Sequence, residues 1–363
     1  MRSPFRAIIF IFLLLSVNAI SFSQVYDLDS LYKNSTQFKV AIDNIKDTFD
    51  LFNNDEIMHV RIISDFRNLN KRRYQDEYQP AILETTLFDT IAVRRELKIK
   101  ARGNYRRKTC SFPPIKLNFP KKQAIFSQIQ EFDKIKLVGS CKAGTLYDQY
   151  LIEEYYVYKM YNLLTPFSYR VRLLRVEYID TSGKKKPRDN YAFIIEPTDQ
   201  MALRMNAREF DRKGISNHSV DRNISTIMGL FQLMVGNTDW TIPGMHNIKL
   251  LRVADAKHPL PVPVPYDFDY CGIIDAQYAI PHEILPIDNV KERFYMGTCR
   301  EMEEYEEAFK YFREKRAQFE ALFADSPYLV KGGKSKALNY IDEFYRIIDS
   351  KAGVNSVILR NCK

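Results

Sequence analysis

Between residues 57 and 196 apolar and polar side chains alternate with a period of two, and after Glu196-Pro197 the period becomes that of a helix. A period of two lines one face of a strand, whereas a 3.6-residue period makes one apolar stripe along a helix. The chain is therefore expected to be α+β, with its strands first. Strands are predicted over 57–63, 81–87, 91–101, 115–119, 134–138, 168–179 and 191–196. One helix interrupts them over 146–164, where Leu146, Tyr150, Leu151, Tyr155, Tyr158, Tyr161 and Leu164 share a stripe and Thr165-Pro166 ends the run. Helices are then predicted over 198–206, 219–235, 283–293, 300–324 and 335–350, with a small hairpin at 247–253 and 261–266. Residues 81–197 read as a first lobe, an antiparallel sheet with one helix. Residues 198–363 read as a mainly helical second lobe, and 25–80 as an N-terminal extension.

The first 24 residues are set apart from this pattern. Arg2 and Arg6 precede an apolar run from Ala7 to Val17, and small or polar residues follow to Gln24. This is the layout of a cleaved secretory signal, and the run is too short to span a bilayer comfortably. No later segment is apolar enough to span. The mature protein is expected to be exported, periplasmic or extracellular, without stable membrane insertion. Five cysteines suit such a compartment. None are spaced as a zinc pair; Cys110 with Cys141 is one possible disulfide and Cys271 with Cys299 another, buried free thiols being the alternative. The net charge of +9 falls to +7 once Arg2 and Arg6 are removed, and the basic runs at 71–73, 106–108, 121–122 and 184–186 read as solvated loops rather than a nucleic-acid surface.

The chemistry concentrates between residues 236 and 272. Gly236-Asn237-Thr238-Asp239-Trp240 ends a helical run, His246-Asn247 follows, and Tyr266-Asp267-Phe268-Asp269-Tyr270-Cys271-Gly272 closes the hairpin. Phosphoryl transfer needs a carboxylate near the acceptor hydroxyl and oxygen donors on a divalent cation. Asp267 and Asp269 flank Phe268 at strand spacing, so both point to one side. Two acids at an apolar strand end are costly unless a cation or a hydrogen-bond network compensates. Trp240 reads as core, and His246 as a loop residue that packs or bonds backbone.

With these motifs the chain resembles the spore coat protein H-like (CotH) kinase family, an atypical secreted branch of the kinase fold. The resemblance spans roughly residues 90–300. It is carried by Lys100-Ala101-Arg102-Gly103-Asn104, Pro114-Ile115-Lys116-Leu117-Asn118-Phe119, Gly236-Asn237-Thr238-Asp239-Trp240, His246-Asn247 and Pro265-Tyr266-Asp267-Phe268-Asp269-Tyr270-Cys271-Gly272. It implies a two-lobed protein-kinase-like fold binding ATP with Mg²⁺ or Mn²⁺. By the same resemblance Lys116 touches nucleotide phosphates, and Glu153 or Glu154 orients that lysine. Arg102 sits in a phosphate-covering turn, and Glu196 lies at the hinge beside the nucleotide. Asp239 accepts or orients the acceptor hydroxyl, while Asn247, Asp267 and Asp269 hold the metal. The chain departs from ordinary protein kinases in three ways. Asp239 and Asn247 are eight residues apart, the metal motif reads Asp-Phe-Asp, and no full GxGxxG loop is present.

Three functions follow from this reading. The first is an exported kinase that moves the γ-phosphate of ATP to a protein or other hydroxyl acceptor. The second is an inactive kinase-like binding or cell-surface assembly protein. The third is a metal-dependent hydrolase using Asp239, Asp267 and Asp269 without ATP.

Overall fold

The computed structural model describes residues 51–87, 91–103, 105–120 and 133–362. The expected signal segment at 1–24 and most of the extension lie outside them. The chain divides into two compact units, one made of residues up to 143 plus 172–195 and the other of 144–171 plus 196–363.

The first unit is a closed barrel of seven strands. They are β1 (Met58–Ser64), β2 (Gln79–Leu87), β3 (Ile91–Ala101), β4 (Ile115–Asn118), β5 (Lys134–Gly139), β6 (Val171–Asp180) and β7 (Arg188–Ile195), in the order β1-β2-β3-β4-β5-β7-β6. Helix α1 (Phe66–Lys71) follows β1, its first turn capped where Asp65 accepts from the Asn68 amide at 2.8 Å. Helix α2 (Tyr105–Thr109) lies between β3 and β4. Inward positions alternate along each strand, so Ile62, Ile99, Ile115, Leu137, Val176 and Ala192 are fully buried. Phe66, Phe112 and Tyr178 meet beside them with ring centroids 4.8–5.5 Å apart.

This barrel overturns the expected two-lobed kinase-like fold. The sequence reading gives an antiparallel sheet with one helix in the first lobe. Instead β1 pairs in parallel with β6, from Met58↔Leu174 to Ser64↔Asp180, and seals the sheet on itself. The reason is that periodicity marks where a strand lies but not its partner, and these two are more than a hundred residues apart in sequence. Closure also removes the sheet edges that an open lobe would expose. The single expected helix, α3 (Thr145–Leu164), belongs to the second unit instead.

The second unit contains α3, α4 (Thr198–Arg204), α5 (Arg222–Val235), α6 (Met302–Ala324), α7 (Lys331–Ile348), α8 (Lys351–Gly353) and a π-helical turn at Val354–Leu359. A three-stranded sheet joins them, in the order β10 (Val262–Pro265), β9 (Ile248–Val253), β8 (Ala207–Glu209). The helix expected over 283–293 does not form. Pro286 lacks a backbone donor, and the Glu292 side chain draws in the amides of Asp288 and Asn289 at 3.2 Å, which stabilises a turn.

Cys110 and Cys141 form a disulfide, as their adjacent strands suggested. The second bridge joins Cys299 to Cys362, so the Cys271–Cys299 alternative is corrected and Cys271 is a buried free thiol. Burial pushes that thiol's pKa well up. Among the described residues no helix is long and apolar enough to cross a membrane.

Candidate functional site

The site in the second unit begins where α5 ends. Twelve consecutive residues of this helix, Ile224 to Val235, are buried, and Gly236 stops it in the left-handed conformation at φ 68°. Asn237 then organises the loop. It is itself buried, donates from Nδ2 to Gln232 Oε1 at 3.0 Å, and accepts the Asp239 amide at 3.0 Å. Trp240 is core, as expected, with its indole N–H on the Asn237 carbonyl at 3.1 Å. This arrangement leaves the Asp239 side chain 40% exposed.

Two side chains hold the Asp239 carboxylate. His246 Nε2 lies 2.7 Å from Oδ1, and Asn247 Nδ2 donates to Oδ2 at 3.0 Å and to the Asp239 carbonyl at 2.8 Å. A bridge between Thr241 and His246 folds the loop back so that these residues meet. His246 is the partner the sequence did not disclose, because its role depends on that loop closure. Its pairing with a carboxylate seven residues away has no periodic signal.

Asn247 immediately precedes β9, and its carbonyl accepts the Tyr266 amide at 3.0 Å. That bond places Asn247 one residue from Asp267. Met245, Asn247 and Asp267 all have positive φ, at 49°, 51° and 66°. Non-glycine residues seldom adopt this region, and such positions gather at functional sites. The Asp267 amide donates to Tyr158 Oη at 2.8 Å, which fixes the turn. Phe268 is fully buried, edge-on to Tyr158 with centroids 4.7 Å apart and to Phe231 at 5.7 Å. Asp267 is thus not in strand geometry, yet Asp267 and Asp269 still converge.

They converge on Glu154 of α3. One carboxylate oxygen from each of Glu154, Asp267 and Asp269 lies within 4.8 Å of the others. Glu154 and Asp269 are almost wholly buried. Like charges brought this close in a low dielectric raise one another's energy, and a cation among them reverses the sign. Oxygen donors alone, with a spread matching ligands at about 2.0–2.6 Å from a shared ion, fit a hard divalent cation such as Mg²⁺, Mn²⁺ or Ca²⁺.

The neighbouring Glu153 does something else. It is buried, and Lys336 Nζ sits 2.9 Å from Oε1 while also donating to the Ile274 carbonyl at 2.8 Å. Burial raises the Glu153 pKa to about 7 despite this lysine. Glu196 is fully buried in a clamp: Arg170 Nη2 reaches it at 2.7 Å and Arg204 Nη2 at 2.9 Å, with further bonds from both guanidinium Nε atoms. Its oxygens are taken up by these two arginines, so Glu196 holds structure together.

Lys116 and Arg102 belong to the barrel unit. Across β6, β1, β2 and β3 the outer face alternates charge in register, with Glu177, Arg61, Glu84 and Arg94 linked at 2.5–2.9 Å. Across β3, β4 and β5 it does not: Lys100, Lys116 and Lys136 are direct cross-strand neighbours. Like charges placed opposite one another destabilise a sheet. Asp76 pairs with Lys100 at 2.5 Å, but among the described residues no carboxylate pairs with Lys116. Partial burial, then Lys100, Lys134 and Arg102, lower the Lys116 pKa. The Arg102 amide bonds the Pro114 carbonyl at 2.9 Å and Gly103 turns at φ 82°, while Asn104 lies outside the described residues.

No family model matches this chain, and neither a curated protein nor a solved structure matches it significantly.

Proposed function

We propose that this chain is a divalent-cation-dependent phosphotransferase that moves the γ-phosphate of ATP to a hydroxyl acceptor. The observation that carries the reading is the convergence of Glu154, Asp267 and Asp269, two of them buried, with one carboxylate oxygen of each within 4.8 Å of the others. A bound Mg²⁺ or Mn²⁺ would neutralise charge on the transferring phosphoryl group. Phosphoryl transfer asks a protein mainly for positioning and charge, which a cation held by carboxylates and a separately fixed carboxylate can supply.

The chain's own residues supply the remaining parts. Asp239, fixed by His246 and Asn247, accepts the acceptor's proton as its oxygen bonds to the γ-phosphorus. The bond between that phosphorus and the β–γ bridging oxygen breaks, and ADP leaves. The spore coat protein H-like motifs support the same chemistry. An exported location, periplasmic or extracellular, belongs to this reading and is supported by two disulfides.

The test is transfer of labelled γ-phosphate from ATP with Mn²⁺, comparing the intact protein with Asp267→Ala and Asp239→Ala. Label on the protein or on added dephosphorylated casein, lost in both variants, is the expected result. Metal-dependent turnover of a phosphoester without ATP would replace the reading with a hydrolase. No turnover, but binding of ATP and metal, would replace it with a binding protein.

A further inference from the structure

The loop that carries Asp239 and the loop that carries Asp267 and Asp269 are joined at a pair of glycines. Gly236 begins the first loop and Gly272 ends the second. The Gly272 amide donates to the Gly236 carbonyl at 3.0 Å, and the Ile273 amide to the Val235 carbonyl at 3.1 Å. Neither glycine could carry a side chain here. A methyl group on either would overlap the Tyr340 hydroxyl, which lies over both backbones from α7.

Tyr340 is itself held from two sides. Its hydroxyl donates to the Lys291 carbonyl at 3.0 Å. The Arg293 guanidinium stacks on its ring, 3.7 Å from the centroid, and is paired to Glu343 at 2.9 Å. The same guanidinium donates to the Tyr340 carbonyl and, at 3.3 Å, to the carbonyl of Met234 in the last turn of α5. Tyr340 and Arg293 therefore grip α5, Gly236 and Gly272 at once. Neither residue takes part in the cation cluster or the Asp239 contacts.

We propose that Tyr340, braced by Arg293, is a positioning residue that fixes the Asp239 loop against the Asp267/Asp269 loop. The inference rests on the phosphotransferase reading. In that chemistry the proton acceptor must sit at a set distance from the bound phosphate, and a misplacement of about 1 Å can cost ~10²-fold in rate. The glycines let the two backbones touch, and the hydroxyl seated on them fixes their spacing. The cation's carboxylates lie within one loop and α3, so loosening the clamp should spare cation binding and slow the chemical step.

The test measures Mn²⁺ affinity by calorimetry, together with kcat and KM for transfer from ATP to dephosphorylated casein. The proteins are wild type, Tyr340→Phe, Gly236→Ala and the double variant. Tyr340→Phe keeps the ring and the arginine stack but loses the hydroxyl. It is expected to lower kcat about tenfold or more, with KM and Mn²⁺ affinity within about twofold of wild type. Gly236→Ala is expected to lower kcat further in the wild-type background than in the Tyr340→Phe background, where the methyl no longer meets a hydroxyl. A lower melting temperature with unchanged kcat would overturn the inference alone, as would an equal effect of Gly236→Ala in both backgrounds. Wild-type protein that transfers no phosphate, whether or not it binds Mn²⁺, would overturn the phosphotransferase reading and this inference with it.

Discussion

His246 Nε2 meets the Asp239 carboxylate at 2.7 Å while Asn247 holds its other oxygen at 3.0 Å. In the proposed phosphotransfer this doubly held carboxylate is the proton acceptor, so its loss should be felt in rate more than in stability. Asp239→Asn is expected to lower kcat by about 10²–10⁴-fold. Because the side chain is 40% exposed, the melting temperature should change little. His246→Ala should reduce kcat less, about tenfold. Steady-state kinetics beside a thermal melt would check both, and an Asp239→Asn enzyme with normal kcat would remove Asp239 from the mechanism.

Glu196 is expected to matter for folding rather than for nucleotide contact. Glu196→Ala would leave Arg170 and Arg204 facing each other without their shared carboxylate. Breaking a buried pair by removing one partner costs about 3–5 kcal/mol. The arginines here are 22% and 24% exposed, so the lower end applies. A chemical denaturation series would measure it, and a variant as stable as wild type would contradict the clamp.

The Cys299–Cys362 bridge closes a sequence separation of 63 and ties the end of the chain to the segment before α6. Loop-closure entropy for that length corresponds to about 4 kcal/mol. Cys362→Ser is accordingly expected to lower the thermal midpoint of the second unit. Adding a reductant to the wild type should reproduce much of the shift, whereas Cys271→Ser should not mimic it.

Burial holds the Glu153 pKa at about 7 in the folded chain, against an ordinary value of 4.5. Between these values the folded state binds the extra proton. The stability this contributes is full below about pH 4.5 and is lost as pH rises through about 7. The amount is at most on the order of 3 kcal/mol. Chelator-treated protein should therefore lose stability over that window, and Glu153→Gln should lose less. Parallel stability–pH curves for the two proteins would contradict this.

Much of the local structure was legible because it rests on period. The strand at 91–101 was read from alternation alone and spans the same residues as β3. The Cys110–Cys141 pairing was suggested by strands now seen to be adjacent. What escaped was non-local. Nothing near Met58 marks Leu174 as its parallel partner, so barrel closure could not be read. Cys362 lies at the far end of the chain, so its bridge to Cys299 depended on how the last helices fold back. Among the site residues, the family resemblance offers Glu153 or Glu154 as the carboxylate that orients Lys116, not as a cation ligand. The convergence of Glu154 with Asp267 and Asp269 depends on the packing of α3, which sets which of two adjacent glutamates faces the cluster. Glu153, one residue earlier, faces Lys336 instead.

The measurement that reaches the central claim most directly is Mn²⁺ binding by calorimetry to wild type, Asp269→Asn and Glu154→Gln. Each substitution removes a charge but keeps nearly the same shape, so the fold should persist. The expected result is one Mn²⁺ per wild-type chain and at least a hundredfold weaker binding in both variants. Equal affinity in all three proteins, or none in the wild type, would contradict the assignment of Glu154, Asp267 and Asp269 as a cation site.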